Sequence, residues 1–369
     1  MRKMLVVLIS IVLAGTLVAC AAPAPTATTP TTPTTPTTPT IPVTPTTAPT
    51  GEQPASSGQP VTWTMNWGYA PAMSADGAAG SPGGRFEQVL TEKSQGRFKL
   101  NIRETMVPRE QELDFIARNN AQLGDMSITY VAGTYPVLDF GALPFRFTDI
   151  IEYENCMKDP AMIAIFDAVF RDAGLEYLSS LPSGNMKFIW GKKPMTTVAD
   201  FANLKLRTTG AVATKAFQLL GAAPVSIPGP EMGDAMYRGV VDACVTTLDY
   251  GMEQGLDDFS TDISVWSVMP VISGAWTANA EAYDALPADL KWALDETAKE
   301  VSGQQYYAAG PEFVAFLTWV SSTSLALHYP DQAEVNKARD LTADTVNDWL
   351  TTAGPYGQEV IDISAKYIP

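Results

Sequence analysis

The sequence predicts an α/β protein built from two units. Segments with strand and helix periodicity alternate from Val61 to Ile128, and a second alternation of the same kind runs from Lys192 to Val245. Residues 61–369 are also numerous enough for two ordinary domains rather than one core. Because such alternation favours parallel strands joined by helical crossovers, we expect strands covered by helices in each unit.

The first unit begins with strands and helices in strict alternation. Its strands show apolar residues at every second position, and Gly96 stands where the first helix ends. The expected elements are strand Val61–Trp67, helix Arg85–Ser94, strand Phe98–Ile102, helix Pro108–Asn120 and strand Gly124–Ile128.

An aromatic segment and two further strands lead to the second unit, and we place the division between the units near Ser183. The expected elements are the aromatic segment Phe140–Phe147, helix Ile151–Ala173, strand Glu176–Leu181 and strand Met186–Gly191.

The second unit repeats the alternation after a short strand that ends at Arg207. The expected elements are helix Ala211–Leu220, strand Ala223–Ile227, helix Glu231–Arg238 and strand Val240–Val245.

The last third of the chain is expected to tie the two units together. Residues 263–279 have the pattern of two strands, the second of which crosses back to the first unit. The helix after Pro287 is strongly periodic, is interrupted at Gly310-Pro311 and resumes through Val320, so it is long enough to lie across both units. Asp331–Leu350 is expected to be another amphipathic helix.

The N-terminal region is typical of an exported protein. Residues 1–19 combine a basic start with an apolar run, and Leu17-Val18-Ala19-Cys20 resembles the lipobox of bacterial lipoproteins, which implies lipidation of Cys20. An ordinary signal peptide is the alternative. Residues 20–60 are dominated by Thr and Pro and carry no hydrophobic periodicity, so we expect a disordered tether between a lipid anchor and the folded part.

Charge and rare residues exclude several classes of function. The net charge of −16 argues against nucleic acid or anionic lipid surfaces as partners. A single histidine, His328, argues against His-rich metal sites, and we expect neither a metal nor a cofactor. Cys156 and Cys244 are far apart without a CxxC motif, and we expect two buried free thiols.

The strongest candidate for ligand contact is Arg207. It follows Leu204, Lys205 and Leu206 at the end of a strand and precedes a helix, and such junctions are where α/β proteins place ligands. The planar guanidinium matches a carboxylate with two parallel hydrogen bonds, which a lysine cannot do. We therefore expect Arg207 to hold an organic anion; pairing with Asp200 or exposure to solvent is the alternative.

Several short motifs are distributed along the folded part of the chain. They are Ser94-Gln95-Gly96-Arg97, Gly124-Asp125-Met126, Leu143-Pro144-Phe145-Arg146-Phe147, Asp200 with Leu204-Lys205-Leu206-Arg207, Leu220-Gly221-Ala222, Ala235-Met236-Tyr237-Arg238-Gly239-Val240-Val241-Asp242 and Leu286-Pro287-Ala288-Asp289-Leu290. In their order and spacing, these motifs resemble those of the substrate-binding proteins of tripartite ATP-independent periplasmic (TRAP) transporters of the DctP family, here in lipoprotein form.

The resemblance implies a two-lobed, periplasmic-binding-protein-like α/β fold with a central cleft, hinge strands and a long domain-spanning helix. Domain I would comprise residues 61–183 and about 268–308; domain II would comprise 184–267, and parts of 309–369 would add to it the spanning and C-terminal helices. The implied function is capture of a carboxylate-bearing acid by a salt bridge to Arg207. The ligand would then pass to integral membrane permease subunits, without catalysis, outside the cytoplasm.

Further contacts are expected at strand ends that face the same cleft. Where relatives of this type carry a second arginine, Lys187 stands here, and Thr246 takes the place of a usual amide contact. The remaining candidates are Asn66, Trp67, Met126, Ser127, Trp190, Tyr250 and Trp276, of which the aromatic residues are equally compatible with core packing.

Two other functions remain open from the sequence alone. A secreted α/β hydrolase is disfavoured because GxSxG, HExxH and GxxxxGK motifs are absent from the sequence. A surface sensor of small organic anions would share the same closing fold, so the sequence does not separate sensing from transport.

Overall fold

Two separate mixed sheets, each with helices packed against it, organise the folded part of the chain. A computed structural model describes residues 59–68, 81–182, 187–266 and 273–368. The predicted signal segment, Cys20, residues 20–58 of the tether and the division near Ser183 lie outside the described residues. The domain boundaries therefore stay a prediction.

The first sheet has the strand order β2-β1-β3-β10-β4. Strand β1 pairs in parallel with β2 and β3, as the alternation of elements predicts, whereas β10 runs antiparallel between β3 and β4. The expected return of the chain to the first unit through β10 is thereby confirmed. The bounds are β1 (Val61–Trp67), β2 (Phe98–Glu104), β3 (Leu123–Ser127), β4 (Leu175–Pro182) and β10 (Ser273–Asn279).

The second sheet has the order β11-β9-β5-β8-β6-β7. Strand β6 pairs in parallel with β7 and β8, while β5 runs antiparallel to β8 and β9. The carboxyl ends of β6, β7 and β8 therefore meet at one edge. The bounds are β5 (Phe188–Gly191), β6 (Lys205–Thr208), β7 (Ala223–Ser226), β8 (Ala243–Thr246), β9 (Asp262–Ser264) and β11 (Ala326–His328).

Helices cover both sheets and fill the C-terminal region. The α-helices are α1 (Pro82–Lys93), α2 (Glu112–Ala117), α3 (Ile128–Val131), α4 (Ile150–Met157), α5 (Pro160–Asp172), α6 (Ala211–Leu219), α7 (Met232–Tyr237), α8 (Leu248–Glu253), α9 (Ala280–Asp284), α10 (Ala288–Val320), α11 (Gln332–Thr342), α12 (Asp344–Leu350) and α13 (Gly357–Ser364). Short 3₁₀ helices span Arg109–Gln111, Pro136–Ala142, Val198–Phe201, Gly229–Glu231, Leu256–Asp258 and Gly354–Tyr356.

Helix α10 connects the cores of the two sheets. Leu290 and Leu294 near its start are buried with the first sheet and α1, whereas Phe316 and Val320 near its end belong to the core of the second sheet. The predicted interruption at Gly310-Pro311 is wrong, because α10 continues through both residues. A proline removes one backbone donor, and packing of the helix on two cores outweighs that loss.

Other elements also differ from the sequence-based expectation. The helix predicted over Ile151–Ala173 is two helices, because Asp159 caps a new helix that begins at Pro160. The helix predicted over Asp331–Leu350 is also two helices, α11 and α12, which a turn at Ala343 separates. Helix α13 and strand β11 were not predicted. His328 ends β11, and its Nε2 lies 2.7 Å from an oxygen of Asp262.

Candidate functional site

Arg207 is buried at the carboxyl end of β6. It is only 3% exposed, although Lys205 on the same strand is exposed. After Thr208 the chain turns at Gly210, whose φ of +81° suits glycine, and enters α6. The predicted strand-to-helix junction is therefore present, and it holds the guanidinium inside the protein.

Backbone carbonyls of the two neighbouring strands fix the guanidinium of Arg207. Its Nε donates to the carbonyl of Ile227, just beyond β7, at 2.9 Å, and its Nη1 donates to the carbonyl of Val245 in β8 at 3.0 Å. Among the described residues, Arg207 forms no salt bridge with an acidic side chain, so the alternative of pairing with Asp200 is not realised. Burial lowers the pKa of Arg207 from its usual value, against the opposing electrostatic effect of Cys244, Tyr130 and Tyr250.

A second buried cation, Lys187, lies near Arg207. Lys187 precedes Phe188, which pairs with Thr246 at the carboxyl end of β8. Burial lowers the pKa of Lys187 to about 8; the carboxylate of Asp139 opposes this shift, and the positive charge of Arg207 adds to it. The site is therefore positively charged, and this charge is compensated only in part by Asp139.

Aromatic hydroxyls complete the surroundings of the guanidinium. Tyr130 in α3 comes from the side of the first sheet, and Tyr250 in α8 from the side of the second. Burial raises the pKa of Tyr250 to about 12, with Tyr130 acting in the same direction and Arg207 opposing it. Tyr250 is therefore protonated at neutral pH and is able to donate a hydrogen bond to an anion.

A cavity of about 700 Å³ lies beside this cluster. Its size falls within the range of small-molecule sites. Arg207 is not itself part of the cavity wall, but its neighbours Tyr130 and Ile227 are, as is Asp139. The wall is formed by α3 and the 3₁₀ segment after it, by the turn into α6, by residues 226–228 after β7, and by α12.

The structure brings four of the predicted site residues together: Arg207, Lys187, Thr246 and Tyr250. Thr246 is buried at the carboxyl end of β8, next to the carbonyl that Arg207 contacts. Ser127 is half-buried at the end of β3, directly before the helix that carries Tyr130. It therefore lies close in sequence to Tyr130, although it is not part of the cavity wall.

The side chain of Asn66 forms hydrogen bonds inside the protein. Its Nδ2 donates to Oε1 of Glu112, and its Oδ1 accepts from the backbone N–H of Met106 at 3.0 Å. Both functional atoms of its amide therefore have internal partners. Its predicted contact with a ligand is not supported by this geometry.

The predicted tryptophan and methionine contacts are core residues. Trp67 stacks on Trp276 with ring centroids 5.9 Å apart in the core of the first sheet. Trp190 packs in the core of the second sheet near Phe316, and Met126 is fully buried. None of the four belongs to the cavity wall, so core packing accounts for them.

Sequence reasoning missed two residues at the cavity, Tyr130 and Asp139. Both lie in short helical segments without a clear period, α3 and the 3₁₀ helix Pro136–Ala142. The sequence signal for Asp139 was weak: an acid among apolar neighbours, between Leu138 and Phe140.

Two kinds of feature are absent from the described residues. No group of three or more His, Cys, Asp or Glu side chains there is arranged to hold a metal ion. None of the described helices, α10 included, has the length and apolar character needed to cross a membrane.

Comparisons with known proteins agree with this geometry. The family model described as "Bacterial extracellular solute-binding protein, family 7" (DctP) matches residues 80–312. The ectoine-binding periplasmic protein TeaA of Halomonas elongata is 21% identical over 229 residues, which cover 60% of this chain and 64% of TeaA. The chain thus matches less than two thirds of the length of that relative.

Solved structures of this kind share the two-lobed fold. DctP7 of Bordetella pertussis, a receptor binding pyroglutamic acid, superimposes with a TM-score of 0.74 at 19% identity, covering 83% of this chain and 99% of DctP7. The sugar acid binding protein DctPAm of Advenella mimigardefordensis, in complex with galactonate, gives a TM-score of 0.75 at 19% identity, covering 84% of this chain and 100% of that protein.

Proposed function

Because the chain belongs to family 7 of the bacterial extracellular solute-binding proteins, we propose that it captures a carboxylate-bearing organic acid by a salt bridge to Arg207. It delivers this acid to the membrane permease of a TRAP transporter and catalyses no reaction. Relatives named for pyroglutamic acid, galactonate and ectoine support an organic acid as the ligand class.

The observation that carries the proposal is the state of the Arg207 guanidinium. It is almost fully buried, it is held by two carbonyls, and no acidic side chain of the described residues pairs with it. A buried charge is costly unless an opposite charge compensates it. A ligand carboxylate supplies that charge. The carbonyls of Ile227 and Val245 fix the guanidinium, which in turn orients the carboxylate.

The neighbouring groups fit the same role. Lys187 adds a second positive charge, and the hydroxyl groups of Tyr130 and Tyr250 interact with Arg207. Thr246 and Ser127 offer hydroxyls at strand ends on either side of the site. The adjoining cavity has room for the body of a small acid.

The test is measurement of ligand affinity in the parent and in Arg207→Ala. Native mass spectrometry of the purified protein identifies any co-purified acid; pyroglutamate, galactonate and ectoine serve as calorimetric probes beside it. Loss of a buried, hydrogen-bonded charge pair costs about 3 kcal/mol, so we expect Kd to rise more than about a hundredfold. Arg207→Lys keeps the positive charge without the planar guanidinium, and its affinity should lie between those of the parent and Arg207→Ala.

Arg238→Ala is the matched control. Arg238 directly follows α7 beside the same sheet, but its guanidinium is exposed and, among the described residues, pairs only with Asp234. Its loss should leave affinity unchanged. Equal binding by Arg207→Ala and the parent would show that the acid group is held elsewhere.

Export and anchoring form the second part of the proposal. The chain is exported and held at the outer face of the cell membrane by a lipid on Cys20, with residues 21–60 as a tether. The sequence Leu17-Val18-Ala19-Cys20 supports this location. Cys20→Ala should release the protein from the membrane fraction, and mass spectrometry of the N-terminal peptide of the parent should show a lipid; an unmodified cysteine would contradict the anchor.

A further inference from the structure

We propose that Asp139 binds a proton-bearing group of the ligand, so that the ligand is a carboxylic acid with an additional amino, amide N–H or hydroxyl group. This inference rests on the proposed function, with the carboxylate at Arg207. It adds a requirement at Asp139, in the wall of the adjoining cavity. Simple alkanoic acids are then poor ligands.

Among the described residues, the buried carboxylate of Asp139 has Lys187 as an electrostatic neighbour but accepts no hydrogen bond. The residue is 2% exposed and forms part of the cavity wall. Neither a hydrogen bond nor an ion pair joins its side chain to another residue in the described part of the chain. Other buried acids of this protein are engaged: Glu112 and Asp125 both contact Arg109, and Asp289 contacts Arg97.

Asp139 lies beside the turn that follows the strand holding Arg207. Its Oδ2 lies 3.5 Å from the point that a Cβ on Gly210 would occupy. Gly210 is only three positions after Arg207, at the turn into α6. Asp139 itself belongs to the 3₁₀ segment that follows α3 and Tyr130. An acid held at Arg207 and extending into the cavity therefore passes this carboxylate.

Charge then decides which ligands fit. Burial raises the pKa of Asp139 to about 7, against the opposing effect of Lys187, which indicates that the carboxylate lacks adequate compensation. A ligand N–H or O–H supplies the missing hydrogen bond, and an ammonium supplies charge as well. A second carboxylate on the ligand would meet like charge at this point and would be rejected.

A structural role is the competing explanation for Asp139: it would only orient Lys187. The two roles differ in what they predict for selectivity. If Asp139 accepts a hydrogen bond from the ligand, its replacement lowers the affinity for ligands that carry the donor group. The affinity for ligands without that group stays unchanged. If it acts only through Lys187, both kinds of ligand lose affinity together, and the loss disappears in a Lys187→Met background.

The experiment measures the affinity of matched acids for the purified parent, Asp139→Asn and Asp139→Leu by calorimetry. The probes are pyroglutamate against cyclopentanecarboxylate, and 2-hydroxybutyrate and 2-aminobutyrate against butyrate, together with any acid that co-purifies and its analogue without the donor. In the parent we expect the donor-bearing member of at least one pair to bind more than about tenfold tighter. Asp139→Leu should abolish that preference, and Asp139→Asn should reduce it.

Controls separate the possible outcomes. Asp340→Asn, an exposed acid on α11, should behave as the parent, and circular dichroism with thermal unfolding verifies folding of each variant. Equal affinity within every pair, or equal loss for both members in Asp139→Leu, overturns the proposal while the role of Arg207 stands. If the parent binds none of the acids and nothing co-purifies, the proposed function itself fails, and this inference fails with it.

Discussion

The buried acid Glu112 should make the protein less stable as pH rises from 5 to 8. Glu112 is 0% exposed, accepts a hydrogen bond from Asn66 and pairs with Arg109 at 2.9 Å. Arg109 also pairs with Asp125, so two buried carboxylates share one guanidinium. Burial, partly offset by Arg109, raises the pKa of Glu112 from 4.5 to about 7.

The direction of this change in stability follows from proton binding in the folded and unfolded states. Between pH 4.5 and 7 the folded protein holds a proton on Glu112 that the unfolded chain has released, so the free energy of unfolding falls as pH rises through this window. For these pKa values, the loss between pH 5 and pH 8 is about 2–3 kcal/mol. Glu112→Gln removes the titrating group and keeps an oxygen that accepts from Asn66.

The assay is urea unfolding of the parent and Glu112→Gln at pH 5, 6, 7 and 8. We expect the difference in unfolding free energy to shift in favour of the variant by about 2–3 kcal/mol between pH 5 and pH 8. Asp114→Asn is the control, since Asp114 lies on the same helix but is exposed and pairs only with Arg118. A shift below about 1 kcal/mol would refute the reasoning, because Glu112 would then titrate almost as in the unfolded chain.

Two further predictions concern packing and thiol chemistry. A Cβ at Gly251 would lie 2.5 Å from the buried ring of Trp190, so Gly251→Ala should lower the unfolding free energy by about 1–3 kcal/mol. Gly303→Ala in α10, where no atom lies within 4 Å of the new Cβ, should raise it by about 0.5–1 kcal/mol; equal effects in urea titrations would contradict the packing argument. Burial raises the pKa of both Cys156 and Cys244 to about 12, so neither should be alkylated in the native protein at pH 8 and both should be after unfolding. Peptide mass spectrometry checks this, and labelling in the native state would show that the thiols are accessible.

The sequence predicted the fold well where periodicity and connectivity act together. Alternating strands and helices led to the parallel pairing of β1 with β2 and β3, and the crossing strand β10 was found from its apolar pattern. Local signals failed where distant packing decides the outcome. Helix α10 passes through Gly310-Pro311 because its two ends pack on different cores, and β11 is three residues long and depends on pairing with β9.

Site residues could be predicted from the sequence only where a residue type has few possible roles at its position. Arg207 stood out because a strand end places its guanidinium among the carboxyl ends of neighbouring strands, as the structure confirms. Tryptophans at strand ends were ambiguous, since burial of a large apolar ring satisfies Trp67, Trp190 and Trp276 without a ligand. The role of Asn66 could not be predicted, because its side chain donates a hydrogen bond to the buried Glu112, which lies 46 positions away in sequence.

The contrast among the arginines is the strongest physical reason to connect Arg207 with a ligand. The chain carries 40 acidic residues against 24 basic ones, so carboxylates are abundant as partners. Arg97, Arg109 and Arg171, all partly buried, each contact at least one of them. Arg207 is more deeply buried than any of these three, yet its two hydrogen bonds go to carbonyls that leave its charge uncompensated. An acidic protein that keeps its own carboxylates away from one buried cation leaves room for an anion that comes from outside.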